Sequence, residues 1–457
     1  MATFKNSRKI SILENNTIAL IVLITITVAL GIDTYFAKQF LFSQSSTSEN
    51  VNTFTIISII CIVGQYLGLA FVGYKSQNIL RKISRLRIIF FSIIVTQNLI
   101  SALFVILLLQ VHLTSSYNPS IAASASLIAY SSAFAVNLYI ARLFLSWFRI
   151  NRNRVILLYG LSAASISINV AISLILIGIS LSVLPDEIHS TTVAWFRPNL
   201  VPGSIALTNF FNTAYLVSTI VSFIIAWIAT AVLLRHYSQK IGKILYWFIM
   251  SLPLAYFLSQ FLIVFGEQIL PMGDPIGSII LLTFLFSLSR PIGGAVFGVA
   301  FLDASRKIKD GSVKGYMLIS AFGFTLFFIS SQIVGTALPL PPFPPFGFPA
   351  ILFTGLSSYL MLVGIYSSAV SASHDRKLRQ SMKNEATKDA RLVESIAWAQ
   401  MEHEIVKNVM LITKENQDIM TEETGIRPSL KEDDLNQYLE DVMKELKTER
   451  DKKRREE

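Results

Sequence analysis

The chain lacks most of what a soluble enzyme needs. Its single cysteine, Cys61, lies in an apolar run, which excludes an intrachain disulfide framework and any thiolate cluster for a metal. The five histidines, His112, His189, His236, His374 and His403, all fall outside the long apolar runs, and no two stand at metal-ligand spacing. There is no Walker loop, no G-x-S-x-G, no H-E-x-x-H and no dinucleotide fingerprint. The sequence therefore points to no enzyme, no metal and no cofactor. Charge is scarce as well: Asp, Glu, Lys and Arg make up 15% of the residues. Before position 374 only Glu14, Asp33, Glu49, Asp186, Glu187, Glu267, Asp274, Asp303 and Asp310 are acidic, each near the end of an apolar run or in a loop. Ion-coupled transporters usually keep a carboxylate near mid-membrane, so this distribution counts against ion coupling.

What the chain has in abundance is apolar sequence, at 53% of 457 residues with 32 Phe. A bilayer core of about 30 Å takes roughly 20 apolar helical residues, because every backbone polar group must be satisfied within the segment. Ten runs meet that length: 17–36, 54–74, 88–111, 120–148, 155–184, 205–234, 244–265, 276–302, 316–334 and 350–372. The expected fold is all-α, a polytopic transmembrane bundle of about ten spans over residues 1–373. The first run follows Lys5, Arg8 and Lys9 without a clean small-x-small cleavage pattern, so it reads as an uncleaved signal anchor.

Loop charge orients the spans. Ten spans with the N-terminus inside gather eighteen basic residues on one side, among them Lys75, Arg81, Lys82, Arg85, Arg87, Arg149, Arg152, Arg154, Arg306, Lys307 and Lys309. Lys38 and Arg197 fall on the other. The positive-inside rule then puts both termini in the cytoplasm, with the plasma membrane as the expected location. The net charge of +10 belongs to these loops, so the lipid bilayer is the implied partner and nucleic acid is not.

Span eight carries the one feature that could hold chemistry. Its stretch S-L-S-R-P-I-G-G-A-V-F-G, residues 287–298, puts Arg290 roughly 20 Å from either end of the run by helical rise. Pro291 breaks the helix there, and Gly293 and Gly294 weaken the next turn. A guanidinium at that depth costs about 2.5–3.5 kcal/mol and needs compensation. One reading has the side chain snorkel to the cytoplasmic face while Gly294 and Gly298 pack as a G-x-x-x-G contact. The other has Arg290, Ser287, Ser289, Gly293 and Gly294 line a polar cavity for an anion, a lipid head group or a carboxylate ligand. Neutral polar residues in other spans, among them Gln65, Gln97, Asn137 and Asn169, could face such a cavity. Gly64 and Gly68 form a second G-x-x-x-G, read as helix packing.

Two outer segments stand apart. Residues 185–204 carry Asp186, Glu187, His189, Trp195 and Arg197, and residues 338–349 hold P-L-P-P-F-P-P-F-G-F-P, which reads as a stiff, greasy cap between two spans.

From His374 the composition turns charged and helical, so residues 374–457 read as a cytoplasmic tail. A helix over about 377–420 has a seam of Leu392, Ile396, Ala399, His403, Val406 and Met410, beside a second row of Trp398, Met401, Ile405, Val409, Ile412 and Ile419. After a break at residues 425–428, Ser429 and Glu432 cap a second helix over about 430–450, with Leu435, Leu439, Val442 and Leu446 on one face. Such faces want cover, by self-packing, by a coiled-coil-like homodimer or by a cytoplasmic protein partner. His403 follows an acidic residue, the pattern of a sensor-kinase phosphoacceptor, but no glycine-rich nucleotide lid follows, so it reads as an ordinary helix residue.

The preferred functional expectation is a receptor or sensor-like protein whose bundle passes a conformational change to its tail. A permease, channel or exporter for an anionic or amphipathic solute, with Arg290 in the pathway, is the alternative, and a scaffold for a membrane complex is a third.

Overall fold

The computed structural model of the chain describes residues 16–42, 48–181, 188–189, 202–235, 242–269, 294–302, 311–330, 343–374 and 390–424. Twelve helices make up almost all of it. They are α1 (Asn16–Phe42), α2 (Ser48–Lys75), α3 (Gln77–Lys82), α4 (Ser84–Thr114), α5 (Pro119–Ile150), α6 (Arg154–Leu181), α7 (Pro202–Leu234), α8 (Lys243–Ile269), α9 (294–302), α10 (Gly311–Ser330), α11 (Ile351–His374) and α12 (Ala390–Thr424). A short ladder, β1 (Ser116–Tyr117) with β2 (Ile188–His189), ties the α4–α5 turn to the segment after α6, antiparallel with Ser116 opposite His189. Burial against this turn pushes the Tyr117 phenol well above its ordinary range.

Eight of these helices, α1, α2, α4, α5, α6, α7, α10 and α11, are long and apolar enough to cross a membrane. The two other expected spans are only partly described. On α8 the apolar stretch covers Lys243–Ala255, and of residues 276–302 only α9 is described. Residues 1–15 and 425–457, with the second tail helix, lie outside the described residues.

The helices carry little amphipathic contrast because apolar side chains meet two kinds of neighbour, protein on one face and lipid-like surroundings on the other. Ile88, Phe91, Phe210, Ile244 and Phe248 are all more than 60% exposed on the bundle's exterior, a surface that water would not tolerate. At the centre stand α10 and α11. Their apolar windows are 94% and 100% buried, against 33–50% for the six other spanning candidates. Glycines bring this pair together. A Cβ on Gly323 would meet Met361 N at 2.6 Å, and one on Gly364 would strike Ser320 Oγ and meet Tyr316 O at 2.6 Å.

Chain direction separates the two ends of the bundle. Helix α5 starts with Asn118 accepting the Ser120 N–H at 2.8 Å and Pro119 in its first turn, then runs 32 residues to Ile150, about 48 Å of rise. The cap formed by Phe343–Ala350 rests on α1 and α4, where Phe36 stacks on Phe346 at 5.0 Å and Phe104 on Phe348 at 6.3 Å. At the other end of α5, Asn153 caps α6 by accepting the Val155 N–H at 2.9 Å, and α12 docks.

Candidate functional site

Three constellations of polar groups inside the bundle could carry function, and α11 or its leading cap takes part in each. The first surrounds a cavity of about 30 Å³ between α5, α6, α7, α8, α10 and α11. Its polar wall consists of Tyr130, Asn169, Ser173, Tyr215, Thr219, Ser222 and Thr354, and its apolar wall of Phe223, Phe257, Phe327 and Phe328 with Ile166 and Val170. The Asn169 amide donates to Ser218 Oγ and Thr219 Oγ1, both at 2.8 Å, which locks α6 to α7. Phe223 and Phe257 stack face to face at 4.0 Å. Thr354 Oγ1 is buried without a hydrogen-bond partner. A buried hydroxyl left unpaired costs about 1–3 kcal/mol, and the volume suits about two water-sized groups. With no charged side chain in its wall, the cavity fits a small neutral hydrogen-bonding guest and offers no countercharge to an anion.

The second constellation is a belt of amides one helix away. Gln65 donates to Ser101 Oγ at 2.8 Å, and Asn137 donates to Ser358 Oγ at 2.8 Å. Gln97 is wholly buried between them, with neither amide atom bonded, and Gln65 Oε1 and Asn137 Oδ1 are also unpartnered. Gly355 is what lets α11 approach: a Cβ there would strike Ser132 Oγ and lie 3.4 Å from Gln97 Nε2.

The third is Asp33. It sits four residues from the end of the α1 crossing, which the sequence alone makes clear, yet it has no exposed surface at all. One carboxylate oxygen accepts the Gly347 N–H at 2.9 Å and the other has no hydrogen-bond partner. Gly347 sits at φ +92°, a left-handed conformation that glycine adopts without strain, and this turn aims its N–H at Asp33.

The residues singled out around the helix break divide. Ser287, Ser289, Arg290, Pro291 and Gly293 lie outside the described residues. Gly294 and Gly298 open α9 and press on α10: added Cβ atoms would meet Thr325 O at 2.9 Å and Ala321 O at 2.9 Å respectively, and the latter would strike Thr325 Oγ1. Gly64 lies against Ile26, whose Cγ1 would be 2.7 Å from an added Cβ, and Gly68 lies 3.5 Å from Leu356 by the same measure.

The tail helix α12 divides its apolar residues between two environments. Val393, Ile396, Ala397 and Ala399 are buried against the bundle, while the Leu392 side chain is outside the described residues. Three hydrogen bonds hold this half to the α5–α6 turn. Trp147 donates to Gln400 Oε1 at 3.0 Å, Asn151 to Ser395 O at 3.1 Å and Asn153 to Ser395 Oγ at 2.8 Å. Val406 and Met410 are half-buried, and Ile405, Leu411, Ile412 and Ile419 are exposed by 44–58%. Ile405, Ile412 and Ile419 of the second row thus stand on the open face, and Ile396 and Ala399 of the first row, with Val393 and Ala397, on the docked one.

Sequence reasoning named Gln65, Gln97, Asn137 and Asn169 but missed Tyr130, Thr219, Ser222 and Thr354, since hydroxyls are common in helices that bond their own backbone, as Ser357 and Ser358 do to Thr354 O. Among the described residues no group of three His, Cys, Asp or Glu side chains could hold a metal ion. No family model matches this chain, and neither a curated protein nor a solved structure resembles it closely enough to count as a match.

Proposed function

We propose that this is a receptor or sensor-like integral membrane protein, in which the helical bundle hands its conformational state to the tail. The supporting observation is the junction of Trp147, Asn151 and Asn153 with Ser395 and Gln400, which fastens α12 to the turn between two membrane-length helices. Any rotation of α5 against α6 moves that turn and with it the docked half of the tail. The exposed isoleucines beyond it give a reader something to bind. In this reading ten spans cross the plasma membrane, both termini are cytoplasmic, and residues 374–457 form the signalling tail.

A photocrosslinker at Ile412 in intact cells tests the reading. Capture of a response protein supports it, and recovery of self-dimers alone contradicts it. Impermeant labelling of Arg85 and Lys309 tests the topology, because both must react from the cytoplasmic face.

The second reading is a permease, channel or exporter for an anionic or amphipathic solute with Arg290 in the pathway; the hydroxyl-lined cavity, with room for about two water-sized groups, is the interior polar space that favours it. Loss of vesicle uptake on Arg290→Leu, with expression intact, would move the assignment to transport. A purely scaffolding role predicts neither outcome.

A further inference from the structure

A crevice distinct from the polar cavity opens between α1 and α2. It has a volume of about 140 Å³, and all of its lining side chains are apolar. Its depth is formed by Phe322 and Leu326 of α10 and by Phe353, Leu356 and Leu360 of α11, each buried to within 5% of its surface. Its mouth is formed by residues with surface to spare: Leu67 is 41% exposed, and Ala19, Val22 and Gly68 are half-buried. Two glycines shape it. At Gly64 a Cβ would run into Ile26, so the helices meet closely there, whereas one turn on at Gly68 the nearest atom to an added Cβ is 3.5 Å away, at ordinary contact distance. The helices thus touch at one glycine and leave a slot beside the other.

The chemistry of this slot is selective. With no polar side chain on its wall, water finds little to bond to, and an apolar cavity of this size holds hydrocarbon guests readily. Its mouth lies on helices of membrane-crossing length, so within a bilayer a guest would reach it sideways from the hydrocarbon layer. An aliphatic chain suits this apolar wall where a charged headgroup does not, and acyl chains are the hydrocarbon that a bilayer supplies. The guest would rest directly on the central α10–α11 pair, the part of the bundle with no freedom to yield toward lipid.

We propose that this crevice is a binding site for a single aliphatic chain, the acyl tail of a membrane lipid entering laterally between α1 and α2. The site stands independently of the tail's role. If the sensor reading also holds, acyl occupancy is a stimulus suited to reach α11 and from there α12.

The test uses the full chain in nanodiscs of phosphatidylcholine carrying a photoreactive group at the end of one acyl tail, with a matching set doped with photoreactive palmitate. Peptide mapping after irradiation reads where the label lands. The site predicts label concentrated on Phe353, Leu356 and Phe322, and at least a tenfold loss at those positions in Gly68→Leu, whose side chain fills the slot, with labelling of the outer face around Ile88 and Phe91 unchanged. Leu356→Trp closes the same space from the other wall and must give the same loss if Gly68→Leu does not fold. Label spread evenly over lipid-facing helices, or unaltered at Phe353 in both variants, overturns the proposal. Label at Phe353 from palmitate but not from phosphatidylcholine overturns the assignment to a membrane lipid in favour of a free fatty acid. Because the readout is position of label, it is unaffected by whether Ile412 ever captures a partner.

Discussion

The central pair α10–α11 and the tail helix α12 are both helical and both packed on neighbours, but they are held in opposite ways. The central pair is fixed by backbone contact at Gly323 and Gly364 and is enclosed by other helices over its whole length. The tail helix is fixed along one half by buried Val393, Ile396, Ala397 and Ala399 together with hydrogen bonds to the end of α5 and the α5–α6 turn, and is open along the other. Interior packing is stiff and transmits displacement, whereas a helix packed along only half of its length opens locally at smaller cost. On the proposed sensor reading, the centre would serve as the rigid transmitter and the tail as the detachable reporter.

The comparison breaks most visibly at the centre. Gly364→Val sets a branched side chain against Tyr316 O and Ser320 and is expected to cost more than about 3 kcal/mol, leaving little monodisperse protein by size-exclusion chromatography. Gly178→Val meets nothing within 4 Å of its Cβ and is expected to behave as wild type by the same measurement, apart from helix propensity. At the capped end, Asp33→Ala leaves the Gly347 N–H buried without its acceptor, an expected loss of about 1–3 kcal/mol in thermal unfolding; Asp33→Asn keeps an acceptor and recovers most of it.

At the tail the effects shrink. Ser395→Ala with Gln400→Ala removes two of the three contacts to the α5–α6 turn, for an expected local cost of about 1–2 kcal/mol. Limited proteolysis should then cut α12 sooner while the bundle's melting temperature stays put. On the tail the smaller effect belongs to Ile412→Glu. With 58% of its surface exposed, the substitution is expected to change stability by less than about 0.5 kcal/mol and to alter only partner capture.

Much of the helical layout was legible from hydropathy, because length and apolarity are the features a membrane-crossing helix must have. What hydropathy hides is which helices are central. Residues 316–334 and 350–372 look no different from the runs that face lipid, since leucine and phenylalanine serve equally well against protein and against hydrocarbon. The burial of Asp33 was illegible for a related reason: it depends on a cap more than 300 residues away in sequence, with no local signal in α1. The tail's apolar rows were visible, but the split between docked and open faces was not, because docking is set by Asn151 and Asn153 on another element.

The attachment of α12 to the α5–α6 turn is the claim on which the functional reading rests. It is tested most directly by pulsed electron spin resonance on the full chain in nanodiscs, with spin labels at Arg152 and Lys407 and Cys61 replaced by serine. Docking predicts one narrow distance distribution, which broadens and lengthens in the Ser395→Ala, Gln400→Ala variant. A broad distribution in the undisturbed protein, unchanged by that variant, would contradict it.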